Sequence, residues 1–227
     1  SLAEQIVQRE RLKDALSSYV APHVSAAILE EGLHLGGETR DVSVMFADIR
    51  GFTEMSNRMV PQDLVKLLNR YFAAMAAAIF RHGGMLNKTF GDGLLAVFGA
   101  PQTLDNHALS ALRAACDMRL ALDDANAEWA AQGLGPVRIG IGIHTGEVVI
   151  GNIGNQDHVD YTVIGDVVNV AAHVEQHTKK VRRAILLTRA TYDRVGPAAL
   201  VEAVEDMPMG SGDRSIGVVA LQGLRGT

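Results

Sequence analysis

A predicted β-hairpin near the middle of the chain constrains the fold more than any other segment. Its sequence is Met85-Leu-Asn-Lys-Thr-Phe-Gly-Asp-Gly-Leu-Leu-Ala-Val-Phe98, in which two apolar runs flank Gly91-Asp92-Gly93. Asp-Gly between apolar runs is a strong hairpin signal, so the turn places a carboxylate, Asp92, at one end of a sheet. The strand before the turn carries Lys88, and burying a lysine is costly unless it meets a partner or a ligand. Most Asp-Gly turns are only structural, so a functional interpretation needs a second carboxylate.

Asp48 supplies the second carboxylate. Residues 42–49 form a predicted buried strand, and Arg50-Gly51-Phe52-Thr53 follows it, with Thr53 as a predicted N-cap of the next helix. A helix start offers free backbone N–H groups to anionic oxygens. Two carboxylates at adjacent strand ends can hold one or two divalent ions that bridge to a nucleotide triphosphate. The two motifs together therefore predict a metal- and phosphate-binding site.

Composition excludes several classes of protein. The net charge is −5 and no basic block is present, which argues against a nucleic-acid partner. The single cysteine rules out an internal disulfide framework and predicts a reducing compartment. Because no apolar run is long enough to cross a bilayer, a membrane anchor would have to lie outside this chain. We therefore expect a cytoplasmic protein, either free or as the cytoplasmic domain of a membrane-anchored sensor.

Residues 1–36 are predicted to be a helical segment that precedes a compact domain at residues 37–227. Apolar residues at roughly helical spacing among charged ones fit the end of a signal-transducing coiled coil. They fit an ordinary amphipathic helix equally well. Gly36-Gly37-Glu-Thr is predicted to be a linker.

The remaining patterns predict an α+β domain. Helices are predicted at 61–82 and 104–132, and strands at 137–143 and 147–153 joined by a turn at His144-Thr-Gly146. We expect His144 to be a hydrogen-bonded structural residue rather than a catalytic base. A strand, a short helix and a pair of strands follow at 184–187, 188–195, 200–205 and 215–221. The order predicts a ferredoxin-like βααββαβ core with helices on one face and a C-terminal β/α extension.

Three segments resemble the catalytic domain of class III nucleotidyl cyclases. They are Phe46-Ala-Asp-Ile-Arg-Gly-Phe-Thr53, Lys88-Thr-Phe-Gly-Asp-Gly93 and Tyr161-Thr-Val-Ile-Gly-Asp-Val-Val-Asn-Val-Ala-Ala172. The resemblance implies an adenylate cyclase that converts ATP to 3′,5′-cyclic AMP and pyrophosphate. It also implies a head-to-tail homodimer controlled by an upstream sensor domain.

The resemblance implies a role for each matching residue. Asp48, Ile49 and Asp92 would hold two Mg²⁺ or Mn²⁺ ions per site. The substrate would be bound by a set of residues that includes the purine-reading pair: Lys88, Thr162, Ile49, Gly51, Phe52 and Thr53. Asn169 would position the ribose. One chain would supply the aspartates, and its partner would supply Lys88, Thr162 and Asn169.

The pair Lys88 and Thr162 favours ATP over GTP. A lysine ammonium only donates hydrogen bonds, which suits adenine N1, and a threonine hydroxyl can accept one from the 6-amino group. Guanine carries a donor at N1 and an oxygen at position 6, so it would be mismatched. Many relatives carry aspartate at the position of Thr162. With threonine there, this chain resembles a bacterial subgroup of the family.

Two departures from the family pattern leave a second function open. His173 stands where the family usually carries an arginine that stabilises charge on phosphorus, and no lysine lies near Met209, where the family tends to contact phosphates with one. The alternative is a degenerate domain that binds nucleotide or a partner without turnover. A third class, another ferredoxin-like protein such as an RNA-binding module or a diguanylate cyclase, lacks its expected motifs.

Overall fold

The computed structural model describes residues 36–154, 159–210 and 214–225 of the 227-residue chain. The predicted helical segment thus lies outside the described residues except for its last position. The strands are β1 (Gly36–Ile49), β2 (Met85–Phe90), β3 (Gly93–Phe98), β4 (Ile139–Gly154), β5 (Val159–Ile164), β6 (Ile185–Thr188), β7 (Ala199–Ala203), β8 (Met207–Pro208), β9 (Ser215–Ile216) and β10 (Val218–Leu224). The helices are α1 (Phe52–Arg58), α2 (Pro61–Arg81), α3 (His107–Ala130), α4 (Asp166–Val181) and α5 (Arg189–Val195).

The sheet confirms the predicted ferredoxin-like plan. Its strands follow the order β2-β3-β1-β4-β6-β10-β7, with β5 paired to β4. The first four strands are antiparallel, and β6 is parallel to β4 and begins the C-terminal extension. Because β1 lies between β3 and β4, the end of β1 that carries Asp48 is at the centre of the sheet.

The helices lie on both faces of this sheet. Helices α2 and α3 cover a core that includes Met45 and Ile141. Helix α4 covers the opposite face, where its Val167 and Ala171 pack in a cluster with Val44. The predicted one-sided arrangement is therefore wrong for α4, although it holds for the helices of the βααββαβ core. Alternate side chains of a strand point to opposite faces, so β1 can contribute to both cores.

The predicted hairpin is confirmed. Phe90 pairs with Gly93 across the turn, and every residue of β3 is buried. The long helix at 61–82 is also confirmed as α2, which ends at Arg81 with His82 as its C-cap. These elements carry strong local signals, namely Asp-Gly turn chemistry and a regular apolar stripe.

The predicted turn at His144-Thr-Gly146 is wrong. Strand β4 runs without interruption from Ile139 to Gly154, and β1 pairs with it from Ile49↔Ile139 to Gly36↔Asn152. The glycines of β4 lie against α4: a Cβ atom on Gly146, the glycine of the predicted turn, would lie 2.8 Å from Val167 Cγ2. A Cβ atom on Gly142 would lie 2.1 Å from the backbone nitrogen of Glu175 in α4.

Two smaller predictions are also wrong. The Gly36–Thr39 segment is not a linker, because it forms the start of β1 opposite the end of β4. Thr53 is not the N-cap of α1. The N-cap is Gly51, which has φ 69° and ψ 24°, and Thr53 lies inside the helix. A left-handed backbone at this position suits glycine, which lacks a Cβ atom.

Within the described ranges, none of the helices combines the length and the apolar character needed to cross a bilayer.

Candidate active site

Two carboxylates meet at one end of the sheet, and we call Asp48, Asp92 and the backbone of Ile49 the carboxylate half-site. Asp48 lies one residue before the end of β1, and Asp92 lies in the turn between β2 and β3. Strands β1 and β3 are neighbours, so the two side chains come within hydrogen-bonding reach of each other. The Asp92 Oδ2 atom also accepts a hydrogen bond from the Ile49 backbone nitrogen at 3.2 Å.

The electrostatics of this pair are those of a crowded anionic site. The pKa of Asp92 is raised to about 7, first by burial and then by the hydrogen bond to Asp48 and by the charge of Asp48. Two carboxylates that share a site cannot both ionise freely, so one of them retains a proton. A divalent cation removes this conflict, because its charge stabilises both ionised groups.

The residues of the carboxylate half-site fit a hard divalent cation. Mg²⁺ and Mn²⁺ prefer carboxylate and carbonyl oxygens, and Mg²⁺ usually keeps several water or substrate ligands. Across residues 36–154, 159–210 and 214–225, no group of three or more histidine, cysteine or acidic side chains forms a complete metal site. A bound ion would therefore be held by Asp48, Asp92 and the Ile49 carbonyl and would complete its shell with substrate and water.

The raised pKa of Asp92 predicts how the stability of the metal-free domain changes with pH. In the folded state Asp92 keeps its proton up to a higher pH than in the unfolded state, where its pKa has the ordinary value of 3.8. The stability that this proton contributes is fully present below about pH 4 and is lost as the pH rises through about 7. We expect the melting temperature in the presence of a chelator to fall between pH 5 and pH 8. Asp92→Asn should flatten this slope, and an equally steep slope in that variant would contradict the assignment.

Basic side chains border the carboxylate half-site. The Lys179 Nζ atom of α4 lies 3.5 Å from Asp48 Oδ2. An open cleft of about 610 Å³ adjoins it, and the basic residues that line this cleft are Arg50, Arg119, Arg138, Lys179, Arg182 and Arg183. In the sequence, the basic run at 179–183 fits either a solvated face or groups that contact phosphates. Three of its members, Lys179, Arg182 and Arg183, line the cleft, and the Arg183 guanidinium is paired with Glu202.

Glu175 carries a buried carboxylate near Arg50 and Lys179, two residues that line this cleft. The residue is 5% exposed, and its Oε1 atom has no hydrogen-bond partner in the described part of the chain. Burial raises the pKa of Glu175, while Lys179 and Arg50 oppose that rise. The Arg50 guanidinium is held in place by a hydrogen bond to the Arg183 carbonyl oxygen at 2.9 Å.

A second group of predicted residues lies away from the carboxylates, and we call Lys88, Thr162, Asn169 and His173 the base half-site. Lys88 on β2 and Thr162 on β5 are brought together through their neighbours. Lys88 Nζ lies 3.4 Å from Asp160 Oδ2, and Thr162 Oγ1 donates a hydrogen bond to Asn87 Oδ1 at 3.1 Å. Strand β5 ends two residues before α4 begins, so Thr162 and Asn169 belong to consecutive elements.

Asn169 and His173 are exposed on the same face of α4, one turn apart. Neither side chain makes a hydrogen bond or an ion pair with another described residue. Asn169 lies ten residues before Lys179, which at 1.5 Å per residue is about 15 Å along the helix. One protomer therefore keeps Asn169 well apart from Asp48.

The sequence analysis missed three residues of this region: Asn87, Glu175 and Lys179. Lys179 was considered only as part of a charged run, and no local pattern marks a buried acid on the packed face of a helix. His144 was interpreted correctly as structural, since its Nδ1 atom bonds Thr188 Oγ1 at 2.8 Å and burial lowers its pKa. Met209 packs beside the apolar cluster around Val174.

Comparison with known proteins assigns most of the chain to one family of catalytic domains. A family model described as the adenylate and guanylate cyclase catalytic domain matches residues 37–219. The adenylate cyclase of Anabaena cylindrica is 41% identical over 165 residues, which is 70% of this chain and 32% of that protein. The chain spans 28–32% of the length of the curated relatives it matches.

Solved structures of both cyclase types share the fold. The guanylyl cyclase Cya2 has a TM-score of 0.78 at 34% identity, covering 84% of this chain and 95% of that one. The adenylyl cyclase CyaB from P. aeruginosa has a TM-score of 0.78 at 30% identity, covering 84% and 98%. The family match covers most of the chain and includes both half-sites. The chain therefore belongs to the family of adenylyl and guanylyl cyclase catalytic domains, the class III nucleotidyl cyclases.

Proposed function

We propose that this domain is an adenylate cyclase, which converts ATP to 3′,5′-cyclic AMP and pyrophosphate in a head-to-tail homodimer. One observation carries the proposal. The two carboxylates, the purine-reading pair and the asparagine are all present, but in one chain Asn169 lies about 15 Å along α4 from Lys179, the residue that contacts Asp48. A two-fold axis that pairs the carboxylate half-site of one chain with the base half-site of its partner would complete two equivalent sites.

The carboxylate half-site would hold the reacting end of the substrate. Asp48, Asp92 and the Ile49 carbonyl would bind two Mg²⁺ or Mn²⁺ ions. Bound there, the metal would supply Lewis acidity at the ribose 3′-hydroxyl and neutralise charge on the triphosphate. The backbone N–H groups of Gly51, Phe52 and Thr53, in the segment that follows β1, would contact phosphate oxygens, while the Ile49 N–H donates to Asp92 Oδ2. The basic cleft beside Asp48 supports an anionic leaving group at this end.

The base half-site would orient the nucleoside. Lys88 has donors to offer to adenine N1, and 45% of its side chain is exposed. Thr162 would accept a hydrogen bond from the 6-amino group. Asn169 would hold the ribose so that its 3′-oxygen faces the α-phosphorus, and positioning of this kind accounts for much of the rate of such a displacement.

Exposed apolar side chains support a paired arrangement. Val149 and Ile164 lie opposite each other on β4 and β5 and are 43% and 53% exposed, and Phe90 beside the turn is 47% exposed. A partner chain would cover such surface, since apolar area buried on association is stabilising. The chain spans about a third or less of the length of the curated relatives it matches, and control by a sensor domain is part of the proposal.

The test is a product assay on the purified domain with ATP and GTP in parallel, each with Mg²⁺ or Mn²⁺. We expect cyclic AMP from ATP, little cyclic GMP from GTP, and no product from an Asp48→Ala control. Cyclic GMP as the main product would overturn the adenine assignment. Nucleotide binding without any cyclic product would favour the second candidate, a binding domain without turnover, which His173 and Met209 support.

Replacing His173 with arginine should raise turnover. Arginine is permanently charged and presents a planar fork of donors, which suits phosphate oxygens better than an imidazole does. A charged donor at developing charge is worth about 10²–10³ in rate, so we expect His173→Arg to give a gain approaching 10²-fold. Gln176→Arg, which adds the same charge at an exposed position of α4, is the control. An unchanged rate in His173→Arg would remove the idea.

A further inference from the structure

Asn87, the residue before Lys88, fixes the direction of a short chain of hydrogen bonds. Its Nδ2 atom donates to the backbone carbonyl oxygen of Tyr161 at 2.7 Å, and its Oδ1 atom accepts from Thr162 Oγ1 at 3.1 Å. A carbonyl oxygen only accepts, so the amide nitrogen of Asn87 must face Tyr161. The amide oxygen then faces Thr162, and that oxygen also only accepts. The hydroxyl of Thr162 must therefore donate its single proton to Asn87.

A β-bulge places Asn87 in this position. Leu86 pairs with Ala96, and Lys88 pairs with Leu95. Between these two pairs β2 has one residue more than β3, and that additional residue is Asn87. Bulges redirect a side chain and are common beside active sites. The bulge frees Asn87 from the regular register of β2 and lets it bridge to β5, which is not a neighbour of β2 in the sheet.

We propose that Asn87 is a specificity-determining residue that makes Thr162 a hydrogen-bond acceptor towards the purine. This inference rests on the proposed function. A free threonine hydroxyl can donate or accept and so could serve either purine. With its proton committed to Asn87, the Thr162 oxygen offers only lone pairs, which match the 6-amino group of adenine.

Guanine is disfavoured by the same arrangement. Its 6-oxo group would face the lone pairs of Thr162. To donate to that oxygen, the Thr162 hydroxyl would have to leave Asn87, whose amide oxygen would lose its partner. Thr162 is 9% exposed and Asn87 is partly buried, so water has limited access to the amide oxygen that loses its partner. Leaving a buried polar group unpaired is what gives hydrogen-bonding sites their large discrimination.

The experiment compares wild type, Asn87→Ala, Thr162→Val and the double variant. The readouts are the ratio of kcat/KM for ATP and GTP, and the dissociation constants of 3′-deoxy-ATP and 3′-deoxy-GTP, which lack the attacking hydroxyl. We expect Asn87→Ala to lower the preference for adenine by about tenfold in both readouts. In the Thr162→Val background, Asn87→Ala should have no further effect, because Asn87 acts through the hydroxyl. Thr89→Ala, an exposed neighbour on β2, is the control and should keep the wild-type ratio.

The outcomes separate the inference from the proposed function. An unchanged adenine preference in Asn87→Ala would overturn the inference alone. Equal losses from Asn87→Ala with and without the Thr162 hydroxyl would also overturn it, since that pattern indicates a general structural role. Failure of wild type to bind either analogue would overturn the proposed function and, with it, the inference.

Discussion

Asp48→Asn is expected to lower cyclic nucleotide formation by about three orders of magnitude. The change removes one of the two carboxylates that would hold the metal ions, whose stabilisation of charge is worth several kcal/mol, and each ~1.4 kcal/mol is a factor of ten in rate. The fold should be retained, because the side chain keeps its shape and the repulsion between Asp48 and Asp92 is relieved. Thermal unfolding would confirm retention. Asp63→Asn, which removes an exposed carboxylate paired with Lys66, should leave the rate unchanged.

The same variant tests whether each active site is shared between two chains. Asn169→Ala should also lower the rate of product formation, by about 10²-fold, because the ribose would no longer be positioned. In a mixed dimer, one site carries both changes and the other carries neither. Equal amounts of the two variants should therefore recover about a quarter of wild-type activity after exchange of subunits. Failure to recover activity, although mixed dimers are present by mass spectrometry, would contradict the head-to-tail arrangement.

Gly142→Ala is expected to cause a large loss of stability. A methyl group on Gly142 would meet the Glu175 backbone nitrogen at 2.1 Å and the Ala171 carbonyl oxygen at 2.7 Å. These are backbone atoms of α4, so no side-chain rotation can relieve the contact and the helix must move away from β4. Overpacking of this kind costs about 1–3 kcal/mol and occasionally more. For a domain of this size we expect a decrease in melting temperature of roughly 5–10 °C.

A matched control separates this packing effect from the loss of glycine itself. A Cβ atom on Gly135, in the connection before β4, would meet no heavy atom within 4 Å. Gly135→Ala should change the free energy of unfolding by less than about 0.5 kcal/mol. Urea denaturation of both variants would measure the difference. Each kcal/mol of lost stability should lower the melting temperature by roughly 2–4 °C. A melting temperature for Gly142→Ala within 1 °C of that for Gly135→Ala would therefore contradict the close approach of α4 to the sheet.

Local signals predicted the carboxylate half-site well. The Asp-Gly turn at 91–93 and the apolar alternation before Asp48 each depend on neighbours within a few residues, so the sequence was sufficient to expect a strand, a hairpin and two carboxylates at their ends. That both aspartates lie at the same edge followed from β1 and β3 being neighbours in the predicted plan. The structure confirms the hairpin and brings the two side chains together.

Predictions failed where packing between distant segments decided the outcome. The segment His144-Thr-Gly146 looks like a turn in the sequence, but it lies inside β4, and Gly142 and Gly146 are needed because α4 crosses β4 at close range. Lys179 is half exposed, as its charged run suggests, but only the approach of α4 to β1 places it 3.5 Å from Asp48 Oδ2. Asn87 carried no signal, because a one-residue bulge depends on how β2 aligns with β3.

By itself, the sequence determined most elements of this protein and the chemical groups they carry: carboxylates beside a turn, a lysine and a threonine that we propose read adenine, and an asparagine that we propose positions the ribose. Only the tertiary structure decided which of these groups meet. It joined Asp48 to Asp92, linked Thr162 to Asn87, and held Asn169 on a face of α4 that is distant from the carboxylates. The reason is physical. Turn chemistry and periodicity act over a few residues, whereas strand order, bulges and helix-to-sheet contacts are set by packing of the whole chain.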